Sequence, residues 1–401
     1  MHQLFGDGIH DDTLAIQALI DSGVREVVLP EPKVRYLISK PLELPSNFRL
    51  ILPRYAEIKL ADGSNCVMVK NKTVDKPEHR VEGELWSFVN QFDPDYVCKN
   101  IELRGGIWNC NNLNQVPNPI WTRVYEPKGY TGFGILFFGV EFLKIRDMTI
   151  KDPVNFAVTL DRVSWFTVED VDFDFNYGNP IAGNMDGIHL NGNCHHGIIR
   201  NLKGSCYDDM VALNADEGSD GPITDIEIAG LWGTDSHSAV RLLTVKNPLE
   251  NIHIHDVYGT FFQYCIGISK FYPGEPTGHY AGISIAHIYA SKAKRIPIYM
   301  KDGTYVYPVI WVQGDLRVKD LSVRHVRRDE YLFPVETVFV GKNTTVEVLD
   351  LQDIHTENHT GEAMPLLRNL GTIQDLYTAK LYPHGDPLLL NEGTIENMKE
   401  H

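Results

Sequence analysis

The chain has 401 residues, of which 43% are hydrophobic and 22% charged, an ordinary composition for a protein with a large buried core. Its 53 acidic residues outnumber the 37 basic ones, and the formal net charge of −16 argues against nucleic acid or an anionic membrane as a partner. No apolar run approaches the ~20 residues that a membrane-spanning helix needs.

The N-terminal stretch, MHQLFGDGIHDDTLAIQ, lacks the basic and then apolar layout of a signal peptide. We therefore expect a cytoplasmic protein, or a secreted one if a leader has been removed. The six cysteines are scattered, without a CxxC pair or the His/Cys spacing of a zinc site. We expect them to be buried free thiols, and we expect neither a metal site nor a cofactor.

Residues 11–22 form the one clear amphipathic helix that the sequence predicts. Asp11 or Asp12 is a candidate for its N-cap, and Gly23 follows its last turn. The terminal units of repeat proteins need an element that covers the end of their core. We predict that this short helix, within a capping segment at residues 1–30, covers the first unit of the fold.

A short pattern of apolar residues recurs along most of the chain, with the form apolar, any, apolar, any, any, apolar. Copies begin at Ile101, Leu143, Phe166, Ile226, Ile252, Ile283, Leu321 and Leu349, and a degraded copy begins at Gly197. From Leu143 to Ile283, successive copies start 23, 31, 29, 26 and 31 residues apart. Near the C-terminus, two stretches beginning at Pro365 and Pro387 repeat almost literally at an offset of 22 residues.

Each repeat predicts two or three short strands separated by bends, and no helix. One unit of this length cannot bury its inner face, whereas stacked units share a continuous core. The pattern therefore predicts an all-β fold, a single-stranded parallel β-helix (a solenoid) that forms one domain over residues 1–401, with C-terminal coils at 330–401. The sequence lacks the signature of leucine-rich repeats, and the spacing of its copies argues against a β-propeller. Residues 71–97 and 113–132 lack the pattern and are expected to form loops.

Three carboxylates and a histidine are predicted to converge within this repeat. Asp186 precedes Asp208 by 22 residues, the length of the shortest repeat. Asp208 lies 11 residues after the copy that begins at Gly197, and His237 lies 11 residues after the copy that begins at Ile226. Because consecutive coils stack about 4.8 Å apart, this equal offset predicts that Asp208 and His237 are neighbours, with Asp186 one coil earlier.

Asp208 and Asp209 are adjacent and run directly into the apolar stretch 210–213. Neighbours on a regular strand point to opposite faces, so both can face a substrate only where the backbone turns or bulges. Isolated aspartates are common at turns, but this pair, with a histidine one coil away, favours a function. Like charges this close raise a carboxyl pKa, as a general acid requires. Asp216 and Glu217 are assigned to the loop beyond the strand, outside the candidate site.

These motifs resemble those of glycoside hydrolase family 28, the polygalacturonases and their relatives. The family motifs N-T-D, G-D-D, G-H-G and R-I-K are matched, in that order, by Asn184-Met185-Asp186, Tyr207-Asp208-Asp209, Ser236-His237-Ser238 and a stretch that ends in Lys270. The resemblance covers about residues 5–330 and is most specific around residues 150–270. It implies a right-handed β-helix with its catalytic coils at residues 143–290.

The same resemblance implies a role for each matched residue. Asp208 would protonate the leaving glycosidic oxygen, while Asp186 and Asp209 would hold and deprotonate the attacking water. Such a reaction inverts the anomeric carbon and needs carboxyl groups ~6.5–9.5 Å apart. His237 would orient or tune Asp208, and Lys270 would contact the substrate.

The sequence also departs from the family pattern. Ile268 stands where the arginine of R-I-K belongs, and Arg241 is either its replacement, gripping a uronate carboxylate, or a packed surface residue. His189 stands where the family usually has an aspartate, and it either binds a sugar hydroxyl or has no role. Asn184 and Tyr207 complete the residues expected to bind the substrate.

Aromatic residues of the expected loops are candidates for stacking on sugar rings. They are Trp121, Tyr125, Tyr130, Phe261, Phe262, Tyr264 and Phe271. At least half of them are expected to pack between coils instead.

Three functions fit these observations. The leading one is an inverting, metal-independent glycoside hydrolase that cleaves pectin-like or related oligosaccharides or polysaccharides. An alternative is a polysaccharide lyase or uronate epimerase on the same fold, which usually needs an Arg or Lys base and a means of neutralising the uronate carboxylate. The third is a non-catalytic glycan-binding β-helix, in which the aspartates are dispensable.

Overall fold

The computed structural model describes residues 3–72, 98–124, 126, 130–270, 278–294 and 306–400. The chain divides into two compact units, each described here by itself. Unit 1 comprises Met1–Lys203 and Glu217–Ser219, and unit 2 comprises Gly204–Asp216 and Asp220–His401. The organisation of residues 1–401 as a single domain stays a prediction.

Unit 1 is built of parallel strands with little helix. Its helices are α1 (Thr13–Ile20) and α2 (Pro119–Thr122), and a 3-10 turn occupies Asn112–Asn114. Its strands are β1 (Asp7–Asp11), β2 (Glu26–Val28), β3 (Arg35–Ile38), β4 (Leu42–Leu44), β5 (Phe48–Ile51), β6 (Glu57–Leu60), β7 (Val69–Asn71), β8 (Cys98–Arg104), β9 (Ile107–Asn109), β10 (Ile135–Lys151), β11 (Val158–Asp174), β12 (Ile188–Leu190) and β13 (His195–Gly204), whose last residue belongs to unit 2.

Unit 2 contains strands, turns and loops but no helix among its described residues. Its strands are β14 (Asp209–Asn214), β15 (Ile223–Ser236), β16 (Ser238–Leu243), β17 (Pro248–Phe261), β18 (Ile266–Ser269), β19 (His279–Lys292), β20 (Ile310–Val312), β21 (Arg317–Glu330), β22 (Val338–Val340), β23 (Thr345–Asn358), β24 (Leu367–Asn369), β25 (Thr372–Tyr382), β26 (Leu389–Asn391) and β27 (Thr394–Glu400). Consecutive coils pair in parallel, as in β15 with β17 and β17 with β19. The predicted fold class, a right-handed parallel β-helix, is confirmed.

The apolar repeat of the sequence matches the register in which successive coils pair. In unit 2 the first residues of successive copies are register partners and are buried: Ile226, Ile252, Ile283, Leu321 and Leu349. The near-literal C-terminal repeat is also in register, with Leu367 opposite Leu389. Because each coil places its apolar residues on those of the coil before, the core is continuous along the stack.

The degraded copy at Gly197 has a steric cause in unit 1. A Cβ on Gly197 would lie 2.1 Å from Cζ of Phe166, the first residue of the preceding copy. Phe166 is itself buried and pairs in register with Leu143. A side chain at position 197 would collide with this ring, so glycine replaces the apolar residue of the repeat.

The predicted bends lie at single residues with left-handed backbone. Asp170 (φ 56°) and Asp256 (φ 58°) occupy the bend slot of their copies, and Asp225 (φ 59°) marks a further bend. Aspartate tolerates this region better than most residues that have a Cβ. These three aspartates therefore turn the chain.

The N-terminal helix is confirmed, with shorter bounds than predicted. Asp12 occupies the N-cap position of α1, but its carboxylate accepts the backbone N–H of Phe5 at 2.6 Å instead of one from the helix. The carboxylate of Asp11 accepts the N–H of Thr13 at 2.8 Å. Asp12 thus occupies the N-cap position, whereas the carboxylate that accepts from the first turn belongs to Asp11.

The regions expected to be loops are only partly described. Residues 73–97 lie outside the described residues, whereas 113–124 contain α2 and no strand. Five of the six cysteines are buried, all six are free thiols, and burial raises the pKa of Cys110 to about 12. Within the described ranges, no helix is both long and apolar enough to span a membrane.

Candidate functional site

In unit 1, Asp186 precedes β12 and contacts a histidine within it. Asp186 Oδ2 lies 2.7 Å from Nδ1 of His189, and Nε2 of the same ring lies 3.0 Å from Oε2 of Glu217. All three side chains are buried. We call Asp186, His189 and Glu217 the His189 cluster.

The ring of His189 is fixed from its face as well as from its edges. Phe156 stacks on it with ring centroids 3.8 Å apart, and Thr159 of β11 is its register partner. Burial disfavours the charged ring, but the hydrogen bonds with Asp186 and Glu217 outweigh burial and raise the pKa of His189 to about 9. At neutral pH the ring is therefore an imidazolium that donates to both carboxylates.

The loop that carries Glu217 is tied to β11. The backbone N–H of Ser219 donates to Asp161 Oδ2 at 3.2 Å, and the same oxygen accepts from Asn191 Nδ2 at 2.9 Å. Burial raises the pKa of Asp161 to about 6, against the effect of these hydrogen bonds. The N–H of Gly192 donates to the backbone oxygen of Glu217 at 3.0 Å. Glu217 is therefore held at its backbone and at its side chain.

In unit 2, the chain bends at Tyr207 and Asp208, and β14 begins at Asp209. The predicted bend is confirmed, and residues 210–213 are buried beyond it. Asp209 is the register partner of Ser238, so Asp208 lies beside His237, with 3.3 Å between Asp208 Oδ1 and Nδ1 of the ring. The pairing that the equal repeat offset predicts is confirmed.

The two adjacent aspartates of this bend differ in their surroundings. The side chain of Asp208 is 14% exposed, whereas that of Asp209 is 1% exposed. Asp209 accepts a hydrogen bond from the Ser238 hydroxyl, and its Oδ2 lies 3.1 Å from Nε of Arg241. Burial raises the pKa of Asp209, and Arg241 opposes that shift. We call Asp208, Asp209, His237 and Arg241 the Arg241 cluster.

Arg241 is supported by an aromatic stack. Its Nε donates to Oη of Tyr264 at 2.7 Å, and the Tyr264 ring stacks on Trp311 with centroids 5.5 Å apart. Arg241, Gly267 and Trp311 are successive register partners. A Cβ on Gly267 would lie 2.5 Å from the Tyr264 ring, so this glycine leaves the space through which Tyr264 reaches Arg241. Burial disfavours the charge of Arg241, but Asp209, Tyr264 and Asp208 together outweigh burial and keep the pKa of Arg241 well above its usual value.

The other residues predicted to bind the substrate differ in their exposure. Asn184 is half-buried in a left-handed turn (φ 51°), while Tyr207 and Lys270 are buried. Lys270 follows β18, and its backbone N–H donates to Gln313 Oε1 at 2.9 Å. Ile268, in the slot of the family arginine, is buried in the coil core, so a side chain in that orientation does not reach a substrate.

Most of the candidate aromatic residues pack in the interior. Tyr130, Phe261, Phe262 and Tyr264 are buried, while Tyr125 and Phe271 lie outside the described residues. Trp121 differs, because it is 40% exposed and its indole lies against Gly183. The side-chain amide of Asn118, at the N-cap of α2, donates to the Gly183 oxygen at 2.9 Å. This bond fixes the helix that presents Trp121.

Glu217 is the residue that the sequence analysis leaves out. Its loop position is confirmed, but its side chain is buried against His189 instead of lying outside the site. The two residues are 28 positions apart, within the range of one repeat, and this spacing is the signal that could have identified the pair. The predicted contact of His189 with a sugar hydroxyl is replaced by contacts to two carboxylates. The placement of Asp186 in one site with Asp208 and Asp209 stays a prediction.

No family model matches the chain, and no curated protein matches it. Solved structures do match. An endo-xylogalacturonan hydrolase from Aspergillus tubingensis has a TM-score of 0.62 and 14% identity, covering 98% of each chain. A family 28 exopolygalacturonase from Yersinia enterocolitica has a TM-score of 0.57 and 14% identity, covering 99% of this chain and 76% of the other.

A third match is the tailspike protein of E. coli bacteriophage HK620, in complex with a pentasaccharide. Its TM-score is 0.55 at 11% identity, covering 95% of this chain and 67% of the other. Likeness at such low identity is evidence about the fold. The chain described here therefore has the right-handed parallel β-helix fold, and its structural neighbours include a family 28 hydrolase.

Proposed function

We propose that this protein is an inverting glycoside hydrolase that cleaves glycosidic bonds in pectin-like or related oligosaccharides or polysaccharides. The observation that carries the proposal is the contact between Asp208 and His237, 3.3 Å apart. Asp208 is the more accessible member of the adjacent aspartate pair, with 14% of its side chain exposed, so we assign it the contact with the leaving group. It is the proposed general acid, and His237 orients it.

Arg241 is proposed to act inside the site and not as the grip on a uronate. Its Nε already contacts Asp209 and Tyr264, and one of its terminal nitrogens lies 4.0 Å from Asp208. A cation between two carboxylates reduces the repulsion between them. Arg241 thus allows both aspartates to occupy one bend, and Asp209 holds the guanidinium in place.

Asp186 is the proposed general base, which orients and deprotonates the attacking water. Its Oδ2 is engaged by the imidazolium of His189, so its orientation is fixed by a group that is itself buried. Acid and base catalysis by positioned side chains each contribute roughly 10²–10⁴-fold to the rate. Two such groups would supply most of the chemistry that glycoside cleavage needs.

The proposed substrate class rests on an aromatic surface and on the structural neighbours. Trp121 presents a partly exposed indole against Gly183, three residues before Asp186, and sugar rings stack on such faces. Two neighbours are an endo-xylogalacturonan hydrolase and an exopolygalacturonase. Pectin-like chains are therefore the first substrates to test.

The test compares two products on a panel of pectic oligosaccharides. Hydrolysis releases new reducing ends without ultraviolet absorbance, whereas a lyase also yields an unsaturated, absorbing uronate. Asp208→Asn should lower kcat by about 10²–10⁴-fold because it removes the transferable proton. Asp256→Asn is the matched control in unit 2, since Asp256 occupies a left-handed bend that asparagine also tolerates.

Each alternative has its own outcome. Full activity of Asp208→Asn would contradict the mechanism, and an unsaturated product would identify a lyase. Saturable oligosaccharide binding without either product would identify a non-catalytic glycan-binding β-helix. The tailspike neighbour, solved with a pentasaccharide, is the reason to include that binding measurement.

A further inference from the structure

One histidine joins two buried carboxylates in the interior of unit 1. Nδ1 of His189 lies 2.7 Å from Asp186 Oδ2, and Nε2 lies 3.0 Å from Glu217 Oε2. The side chains of the two carboxylates are 4% and 2% exposed. Burying two anionic groups costs several kcal/mol unless a cation and hydrogen bonds compensate them. The contacts of His189 with both carboxylates therefore compensate a cost that the fold would otherwise carry.

When both acids are ionised, the count of donors determines the protonation state of this bridge. A neutral imidazole carries a single N–H and can donate to one carboxylate only, whereas the imidazolium donates to both. The raised pKa of His189, about 9, agrees with that count. The ring is thus a cation with both of its donors directed at acidic groups.

We propose that His189 is a positioning residue for Asp186, held in its cationic form by Glu217. The inference rests on the proposed function, in which Asp186 is the general base. Donation to Oδ2 fixes the rotation of the carboxylate relative to the attacking water. An adjacent cation also favours a carboxylate over a carboxylic acid, and a base must be in the carboxylate form.

In the part of the chain that the structure describes, the charge of the ring is governed by the acidic groups that contact it. The titratable groups that contact it are the carboxylates of Asp186 and Glu217. Phe156 covers its face, and Thr159 is its partner on β11; both are uncharged. The carboxylate of Asp161 on β11 is directed to Asn191 and Ser219. Loss of the His189 proton is therefore expected to set the alkaline limit of the activity.

Three variants separate charge from hydrogen bonding. His189→Gln removes the cation and should lower kcat by about 10²-fold with little change in KM, because the base is no longer held in place. His189→Asn keeps a donor near the position of Nδ1, so it should recover part of kcat but lose the alkaline limb of the pH profile. Glu217→Gln should move that limb to lower pH, because the ring loses one of its two anionic partners.

The readouts are kcat and KM on a pectic oligosaccharide across the pH range, and NMR titration of the His189 ring in the free protein. The wild-type ring should stay protonated up to about pH 9. The control is His253→Gln, which changes an exposed histidine of unit 2. Circular dichroism establishes that each variant is folded.

The outcomes distinguish this inference from the proposed function. An active wild type whose His189→Gln variant keeps its kcat and its pH profile would overturn the inference alone. If that variant does not fold, the inference is overturned when Glu217→Gln leaves the alkaline limb of the pH profile of kcat unchanged. A wild-type ring that loses its proton below pH ~7 also overturns the inference, as neutral imidazole cannot bridge both carboxylates. A wild type that is inactive on every substrate overturns the proposed function, and the positioning role of His189 with it.

Discussion

The His189 cluster of unit 1 and the Arg241 cluster of unit 2 both place buried acidic groups beside a cation, and the two cations differ in their chemistry. In unit 1, His189 contacts two carboxylates, while in unit 2 Arg241 contacts Asp209 at 3.1 Å and lies 4.0 Å from Asp208. A histidine loses its proton within the pH range in which proteins are stable, and an arginine does not. Charge compensation is therefore conditional on pH for Asp186 and Glu217 in unit 1 and permanent for Asp209 in unit 2.

The aromatic support of the two cations differs as well. Phe156 contacts the face of the His189 ring and contributes packing only. Tyr264 accepts a hydrogen bond from Arg241 and stacks on Trp311. In unit 2, a substitution can remove the Tyr264 hydroxyl and keep its ring. In unit 1, the contact of Phe156 with His189 is lost only when the whole Phe156 ring is removed.

The largest expected effect is that of Arg241→Gln. Removing one partner of a buried ion pair leaves Asp209 as an uncompensated buried charge, which should lower the free energy of unfolding by about 3–5 kcal/mol at neutral pH. Urea unfolding measures this change. The control is Arg324→Gln, which breaks an exposed ion pair with Asp350 and should cost less than about 1 kcal/mol. Equal losses in the two variants would contradict the assignment of Arg241 as a buried compensating cation.

The next effect is the pH dependence of the contribution that His189 makes to the free energy of unfolding. The folded pKa of about 9 lies above the reference value of 6.5, which corresponds to a stabilisation on the order of 3 kcal/mol. Because the folded value is the higher one, this stabilisation is fully present below pH ~6.5 and is lost as the pH rises through about 9. Unfolding of the wild type and His189→Gln from about pH 6 to about pH 10 should show the gap between them shrinking.

The same pH series sharpens the comparison of the two units. The difference in unfolding free energy between the wild type and Arg241→Gln should not shrink from about pH 6 to about pH 10, because arginine keeps its charge throughout and Asp209 without it is a buried carboxylate at high pH. If the difference in unfolding free energy between the wild type and His189→Gln does not change with pH, the ring is not a compensating cation.

A smaller effect is expected for Gly267→Ala. The new Cβ would lie 2.5 Å from the Tyr264 ring, and overpacking of this kind costs about 1–3 kcal/mol. The matched control is the same substitution in a Tyr264→Ala background, in which the methyl group has room. If both backgrounds lose equal stability, the cost does not come from the contact between Gly267 and Tyr264.

The smallest effect is that of Tyr264→Phe. It removes the Oη that accepts from Arg241 and keeps the ring on Trp311, so it should cost about 1 kcal/mol. Tyr289→Phe is the control, since Tyr289 is largely exposed. A loss as large as that of Arg241→Gln would mean that the hydroxyl, and not the ion pair with Asp209, holds the guanidinium.

Periodicity along the chain was sufficient to predict the coils and one contact within the Arg241 cluster. Apolar residues that recur once per coil must stack to be buried, so the copies at Ile226 and Ile252 predict a register that the structure confirms. Equal distances from two such copies then predict that Asp208 and His237 are neighbours. These inferences succeed because stacking converts sequence distance into spatial distance wherever the coil length is regular.

The partners of the carboxylates were decided by the tertiary structure. Coil lengths vary between copies, so spacing alone does not reveal which loop residue turns inward, and Glu217 was assigned to the loop beyond the strand, outside the candidate site. The support of Arg241 by Tyr264 depends on the space above Gly267, which is a property of three coils and not of a local motif. Burial of a charge and the identity of its compensating cation depend on contacts between distant segments, and these exist only once the coils have stacked.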